Sequence, residues 1–205
     1  MICWVRGKRS PPTSAQPRNR LSIESSRSAG AKSRDSKKAI IGAIVKFKKV
    51  VVGGTFDYLH DGHKAILAKA FEVGERVLVG ICSDEMQLLL QKDSAGIQPL
   101  DMRKQALEEL LRSKGWLERA DVVVISDAFG STVEDPELEA IVVSPETRAR
   151  AEELNKLRGS RGLPPLKIIE IPFVLAEDGK PISSIRARYR EIDAHGKVLK
   201  HSQVA

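Results

Sequence analysis

Runs of consecutive apolar residues alternate along the chain with segments in which apolar residues recur every three or four positions. Each predicted strand is built around such a run, and these strands are residues 50–52, 76–82, 121–126, 140–143 and 166–171. Continuous apolar runs are typical of strands buried on both faces of a parallel sheet, and the recurring spacing is typical of helices. The alternation predicts an α/β fold, a single domain with a mainly parallel five-stranded sheet flanked by helices.

One stretch joins the first predicted strand to the first predicted helix. It reads Val-Val-Val-Gly-Gly-Thr-Phe-Asp-Tyr-Leu-His-Asp-Gly-His over residues 50–63. Gly53 and Gly54 allow a sharp turn and a close approach to a ligand, and helical spacing begins near Asp61. A helix that starts beyond the carboxyl end of a buried strand presents unpaired N–H groups, which bind phosphate.

A second predicted anion site lies near the end of the chain, in residues 181–190. Ser183 and Ser184 open a helix there, and their hydroxyl groups can cap its N–H groups. Arg188 lies four residues beyond Ser184, so it is on the same face one turn later. Hydroxyl, amide and guanidinium donors at one helix end are typical of an anion clamp.

Between these two stretches, polar residues mark the predicted ends of further helices. Ser83-Asp84-Glu85 is expected to cap a short helix that runs through Leu90, and Asp101 is expected to cap the next helix. Residues 91–99 and 128–136 lack periodicity and are predicted to be loops. Ser144-Pro145-Glu146-Thr147 is expected to start a helix, with proline near the first turn.

The net charge of +7 comes from the first quarter of the chain. Residues 1–49 hold 13 Lys and Arg against two Asp and Glu, whereas residues 50–205 hold 21 against 25. Residues 1–38 are also rich in Ser and Pro with few large apolar groups, so they are predicted to be a disordered basic tail. The domain is then expected over residues 39–205, and its mild acidity argues against a nucleic-acid-binding core.

Cysteine use and hydropathy predict a cytoplasmic location. Cys3 and Cys82 stand far apart in unlike contexts, so they form neither a disulfide framework nor a metal site. The apolar run Ala39–Val45 has only seven residues, too few to span a membrane, and no signal-peptide apolar region is present. We therefore expect no membrane partner.

Several common chemistries lack the residues that they require. There is no Gly-rich loop ending in Gly-Lys-Ser or Gly-Lys-Thr, and no Gly-x-Ser-x-Gly elbow. His60 and His63 stand three apart, but no Cys or Glu follows at zinc-ligand spacing, so no protein-held metal is expected. Two histidines that flank the glycine of a phosphate-binding helix start instead favour phosphate chemistry.

The two motifs resemble the signatures of a known superfamily. Thr55-Phe56-Asp57 with His60-Asp61-Gly62-His63, and Ile182-Ser183-Ser184 with Arg188, resemble the H-x-G-H and I-S-S-T-x-x-R signatures of the nucleotidylyltransferases. Within that superfamily, the chain from about residue 48 to about residue 195 looks most like the archaeal and eukaryotic type of phosphopantetheine adenylyltransferase. That family has a Rossmann-like fold.

The resemblance implies a reaction and the residues that serve it. ATP and 4′-phosphopantetheine would give dephospho-coenzyme A and pyrophosphate, a late step of coenzyme A biosynthesis, by in-line attack with Mg²⁺ on the phosphates. Catalytic roles fall to His60, His63 and Arg188. The implied ATP-binding residues are Gly53, Gly54, Thr55, Phe56, Gly62, His63, Ser183, Ser184 and Arg188. The implied acceptor-binding residues are Thr55, Asp57, Lys92 and Arg103.

Two positions depart from the family pattern. Ile185 stands where the second signature has threonine, which removes a hydroxyl contact. Residues 142–147, Val-Val-Ser-Pro-Glu-Thr, replace the arginine-glycine stretch of the bacterial enzymes. The acceptor contacts of the bacterial enzymes therefore cannot be transferred to this chain.

Other functions remain open at this point. The motifs also occur in FAD synthetases, nicotinamide mononucleotide adenylyltransferases and glycerol phosphate cytidylyltransferases, although the second motif and Gly-Thr-Phe-Asp disfavour the last two. A different class of function, a non-catalytic nucleotide-binding module or a nucleic-acid binder that uses the basic tail, is the further alternative.

Overall fold

The computed structural model describes residues 46–86 and 96–199. Five parallel strands form one sheet in the order β3-β2-β1-β4-β5. They are β1 (Phe47–Gly54), β2 (Gly74–Cys82), β3 (Ala120–Ile125), β4 (Ala140–Val143) and β5 (Lys167–Glu170). The predicted α/β fold with a parallel five-stranded sheet is confirmed.

Helices alternate with most of the strands, as the crossover connections of a parallel sheet require. They are α1 (Asp61–Val73), α2 (Leu100–Ser113), α3 (Arg148–Ser160) and the short α4 (Ser184–Arg188). Short 3₁₀ helices span Leu117–Arg119 and Gly130–Val133. The second of these lies within the segment 128–136 that the sequence predicts to be a loop, and Val133 is buried there.

The three consecutive valines of β1 pack against both faces of the sheet. Val50 and Val52 belong to a core cluster on one face of the sheet, with apolar side chains of α1 and α2. Val51 belongs to a second cluster on the other face, with Leu154 of α3. Because successive side chains of a strand point to opposite faces, covering both faces demands apolar residues at every position.

Strand order reverses between β1 and β4. The chain passes from β1 outward to β2 and β3, then returns to the other side of β1 for β4 and β5. The connections after β1 and after β4 therefore leave the sheet in opposite directions and open a crevice at its carboxyl edge, where α/β proteins bind ligands.

Two helix starts differ from the sequence prediction. The N-cap of α2 is Pro99, without a side-chain cap, and Asp101 lies inside the first turn. Residues 144–147 form a hydrogen-bonded turn, in which Thr147 Oγ1 accepts from the Ser144 backbone N–H at 3.1 Å, and α3 begins only at Arg148. Polar caps mark a helix start to within a turn, because the same side chains also stabilise turns.

Other predictions on helix ends are confirmed or fall outside the described residues. Ser83 Oγ accepts from the Met86 N–H at 3.1 Å, as a capping residue does. The predicted tail 1–38, Cys3, the Ala39–Val45 run, the helix end at Leu90 and Lys92 lie outside the described residues. In the part of the chain that the structure describes, no helix combines the length and apolar character needed to cross a bilayer.

Candidate active site

A cavity of about 410 Å³ opens at the carboxyl edge of the sheet, where β1 meets α1. The first signature contributes Phe56, His60, Gly62 and His63 to its wall, and the second contributes Ile182, Ser183 and Ile185. Residues that are about 120 positions apart in sequence thus share one cavity. The fold brings them together because parallel strands place all their carboxyl ends at one edge.

His60 and His63 stack against each other inside this cavity. Their ring centroids are 3.9 Å apart, and the planes are inclined by 24°. His60 is the N-cap of α1, and its Nε2 lies 3.4 Å from Ser184 Oγ of the second signature. The Phe56 ring packs on His63 with centroids 5.4 Å apart, so the imidazoles are fixed by apolar and stacking contacts.

Both histidines are buried and carry unused hydrogen-bonding atoms. His60 Nδ1 and both ring nitrogens of His63 have no hydrogen-bond partner among the described residues. Burial lowers the pKa of His60 from 6.5 to about 3 and holds the pKa of His63 well below its usual value. Buried polar atoms normally have partners, so these neutral imidazoles mark a place for a polar ligand.

Gly62 makes room for the His60 ring. A Cβ atom at position 62 would lie 2.9 Å from His60 Cε1 and 3.0 Å from His60 Nδ1. The imidazole of the N-cap residue folds back over the backbone of the first turn of α1, where a methyl group would displace it. The glycine between the two histidines is therefore required by the packing of the first one.

Asp57 and Arg188 connect the two signatures through a buried ion pair. Arg188 Nη2 donates to Asp57 Oδ2 at 2.8 Å, and Arg188 Nε donates to the same oxygen at 3.3 Å. Asp57 Oδ1 accepts from the Gln98 N–H at 2.9 Å, and Gln98 Oε1 accepts from the Tyr58 N–H at 3.0 Å. Arg188 is thus held by the turn after β1 and is absent from the described lining of the histidine cavity.

The backbone around Asp57 is strained. Phe56 and Tyr58, on either side of it, have φ angles of 53° and 43°, in the left-handed region that favours glycine. Such conformations cost of order 1–3 kcal/mol each and persist only where the surroundings enforce them. The hydrogen bonds from Gln98 and Arg188 supply that constraint at the site.

Arg103 is turned away from solvent and toward the backbone. Its side chain is 0% exposed, and Nη1 donates to the carbonyl oxygens of Thr55 at 2.9 Å and Cys82 at 2.8 Å. Nε donates to Gln98 O at 2.7 Å, and Nη2 contacts Asp84 Oδ1 at 2.5 Å. Arg103 therefore joins the carboxyl ends of β1 and β2 to the start of α2.

The second signature caps α4 as its sequence predicts. Ser183 is the N-cap, and its Oγ accepts from the Arg186 N–H at 3.3 Å. Arg186, which the sequence does not single out, lines the cavity and pairs with Asp178 at 2.6 Å and Glu191 at 3.1 Å. In the sequence, the signal for this place in the cavity wall is the position of Arg186 two residues before Arg188, in a helix with two arginines.

A second cavity, of about 90 Å³, lies against β1, β2 and α3 at the same edge of the sheet. Its walls are mainly apolar and include Val51, Leu78 and Leu154 of the core cluster on that face, together with Cys82 and Phe129. Gly53 lines both cavities, whereas Gly54 lines only the second one. The end of β1 therefore separates the histidine cavity from this second, apolar cavity.

The described residues offer no ligand set for a divalent cation. No group of three or more His, Cys, Asp or Glu side chains is placed to hold a metal ion within residues 46–86 and 96–199. The histidine cavity includes one carboxylate, Glu146, in its described lining. The protein side chains seen here thus do not fit a resident Mg²⁺.

Comparison with known proteins relates the chain to one family. The model of the Cytidylyltransferase-like family matches residues 51–190. A phosphopantetheine adenylyltransferase from Methanopyrus kandleri is 46% identical over 145 residues, which cover 71% of this chain and 91% of that protein. One from Pyrococcus abyssi is 45% identical over 157 residues, which cover 77% of this chain and 99% of that protein.

A solved structure shares the fold. The crystal structure of a protein of unknown function from Archaeoglobus fulgidus matches with a TM-score of 0.54 and 28% identity. The match covers 61% of this chain and 89% of that one. The parallel sheet and its flanking helices thus recur in an experimental structure.

Proposed function

Because the chain belongs to the cytidylyltransferase-like family and, within it, to the archaeal phosphopantetheine adenylyltransferases, we propose that it transfers an adenylyl group from ATP to 4′-phosphopantetheine. The products would be dephospho-coenzyme A and pyrophosphate, in coenzyme A biosynthesis. The observation that carries the proposal is the buried His60–His63 stack with unused ring nitrogens, facing the second signature across one cavity.

The histidine cavity is the proposed place of the ATP phosphates. Neutral imidazoles can donate N–H groups to phosphate oxygens, and Ser183 also lines this cavity. Ser184 Oγ already approaches His60 Nε2 at 3.4 Å, so an oxygen of a phosphate can contact both. The N-terminus of the 13-residue helix α1 adds backbone donors and a positive dipole end.

The apolar cavity is the proposed place of the acceptor's arm. Pantetheine is a long, flexible chain, and a narrow cavity with mainly apolar walls suits such a chain better than it suits the rigid tricyclic ring of a flavin. Gly53 lines both cavities at the end of β1, and Thr55 follows two residues later. Phosphates that enter from either side would meet there.

The proposed reaction is a direct displacement. A phosphate oxygen of the acceptor attacks the α-phosphorus of ATP, the new P–O bond forms, and the bond to the bridging oxygen breaks to release pyrophosphate. Such a transfer depends on positioning and on stabilisation of charge rather than on a covalent enzyme intermediate. His60 and His63 would stabilise the charge that builds on the transferring and leaving groups, an effect worth on the order of 3 kcal/mol per donor.

Arg188 and Arg103 would act on the turn that follows β1. Arg188 would fix the Asp57 turn and, with it, the backbone of Thr55 and Phe56, and its contact with the β- and γ-phosphates stays a prediction. Arg103 would hold the Thr55 carbonyl group in position through its hydrogen bond. Mg²⁺ would arrive bound to the phosphate oxygens of ATP, as part of that substrate. Contacts of Asp57 and Lys92 with the acceptor stay predictions, as does a cytoplasmic location.

The test is pyrophosphate release with ATP and Mg²⁺, using 4′-phosphopantetheine, riboflavin phosphate and nicotinamide mononucleotide as acceptors. We expect release only with 4′-phosphopantetheine, and a loss of about a hundredfold in kcat for a His63→Ala variant that folds normally. Release with another acceptor would replace the substrate, and release with none would favour a nucleotide-binding module.

A further inference from the structure

Arg150 places a positive charge in the wall of the apolar cavity. Among the described residues that line this cavity, Arg150 is the only charged one. It lies in the first turn of α3, and its side chain is 19% exposed. Burial lowers the pKa of its guanidinium, which means that the surroundings solvate the charge poorly. A poorly solvated cation in the cavity wall favours a ligand that carries polar groups.

Two neighbours fix the guanidinium in place. Its Cζ lies 4.9 Å from the centroid of the Phe129 ring, and Nη1 donates to Glu153 Oε2 at 3.1 Å. Glu153 is exposed, so this pair is weak, whereas the ring holds the planar group by a cation–π contact. Phe129 also lines the cavity, so ring and guanidinium form one continuous surface along it.

We propose that Arg150 is a specificity-determining residue, which donates a hydrogen bond to an amide carbonyl of the acceptor's arm. This inference rests on the proposed function. An arm with two amides buried between apolar walls needs donors for its carbonyl oxygens, and a guanidinium presents several in a plane. The other polar side chains of the described wall, Cys82, Ser131, Thr132 and Thr147, are small and neutral.

The substitution Arg150→Met tests this role, because methionine keeps the apolar stem and removes the donors. We expect the KM for 4′-phosphopantetheine to rise about tenfold, with the KM for ATP unchanged, since one hydrogen bond to a charged group is lost. Arg150→Lys should recover part of the loss. Arg148→Ala is the matched control, since Arg148 lies on the same helix, is 53% exposed and is absent from the described lining of the cavity.

A truncated acceptor locates the contact. It keeps the phosphate and the branched pantoyl carbons but lacks both amides. For this acceptor, wild-type protein and Arg150→Met should have the same KM, which would place the lost contact on the amides. An equal rise in KM for both acceptors would overturn the inference, because the guanidinium would then contact the phosphate end.

The remaining outcomes separate this inference from the proposed function. A wild-type protein that uses 4′-phosphopantetheine, with an unchanged KM in Arg150→Met, would overturn the inference alone. A wild-type protein that releases no pyrophosphate with this acceptor would overturn both. A KM for ATP that rises together with that for the acceptor would show a general structural effect and would also overturn it.

Discussion

Arg188 and Asp57, which are 131 residues apart in sequence, form an ion pair at 2.8 Å with side chains that are 7% and 0% exposed. The pair joins the turn after β1 to the helix that carries the second signature. A buried charge that loses its partner is costly, so each residue depends on the other.

Removing the charge of Asp57 should therefore destabilise the protein. We expect Asp57→Asn to lower the free energy of unfolding by about 3 kcal/mol, because Arg188 keeps a buried charge without its carboxylate. The double variant Asp57→Asn/Arg188→Met should recover part of this loss. Urea unfolding of the wild type and three variants gives the coupling energy. If the losses of the two single variants simply add in the double variant, Asp57 and Arg188 do not depend on each other and the prediction is wrong.

Gly62→Ala should impair turnover without altering either histidine. The added Cβ would lie 2.9 Å from His60 Cε1 and push the ring out of its stack with His63, so kcat should fall by about tenfold or more. Gly159→Ala is the matched control, because no atom lies within 4 Å of a Cβ atom at this helical position. It should raise stability by about 0.5–1 kcal/mol and leave the rate unchanged.

The buried histidines should make stability depend on pH. The pKa of His60 is about 3 in the folded protein against 6.5 in the unfolded chain, and that of His63 is also lowered. Between these values the unfolded chain binds more protons, so stability is complete above pH 6.5 and falls as the pH falls below it.

The expected slope is up to about 1.4 kcal/mol per pH unit for each imidazole. Urea unfolding measured between about pH 6.5 and 5 should show this slope in the wild type and a shallower one in His60→Gln/His63→Gln. In this window the carboxylates Asp61 and Asp135, whose pKa values are lowered, stay ionised. Equal slopes in the two proteins would show that the histidines are not responsible.

Arg103 and Arg158 offer a matched comparison of two buried arginines, both 0% exposed. Arg158 donates to the carbonyl oxygens of Pro164, Thr132 and Asp135, and none of these four residues is in the described lining of the histidine cavity. Lysine at either position should lower the free energy of unfolding by about 3 kcal/mol, because carbonyl groups lose donors.

Only Arg103→Lys should also lower kcat/KM, by about tenfold, since Arg103 holds the carbonyl of Thr55 at the proposed reaction centre. Steady-state kinetics at a temperature where both variants stay folded checks this difference. The same loss of kcat/KM in Arg158→Lys would assign the effect to reduced stability.

The fold could be predicted because its signals are local. Val50, Val51 and Val52 are apolar because each face of β1 is covered, and this pattern is visible within three residues. The proximity of His60 to Ser184 could also be predicted, because any parallel sheet places the carboxyl ends of its strands at one edge.

The contacts that could not be predicted join residues that are distant in sequence. Nothing near Arg103 or Arg158 indicates that these charged side chains bond to backbone carbonyls in the interior. The pairing of Arg188 with Asp57, and the cation of Arg150 against Phe129, likewise join segments whose approach is set by packing. A charged residue in the sequence normally indicates an exposed side chain, and these five residues are exceptions.

A Cβ atom at Gly53 would make only an ordinary van der Waals contact, because the nearest atom that it would meet is Gly80 O at 3.8 Å. The folded chain itself has room for alanine at this position. Yet the methyl group would project where the two cavities adjoin. On the proposed assignment, glycine is required at position 53 because the substrates need the space, and the fold does not. A single methyl group there would let each substrate bind but would keep the two from reacting.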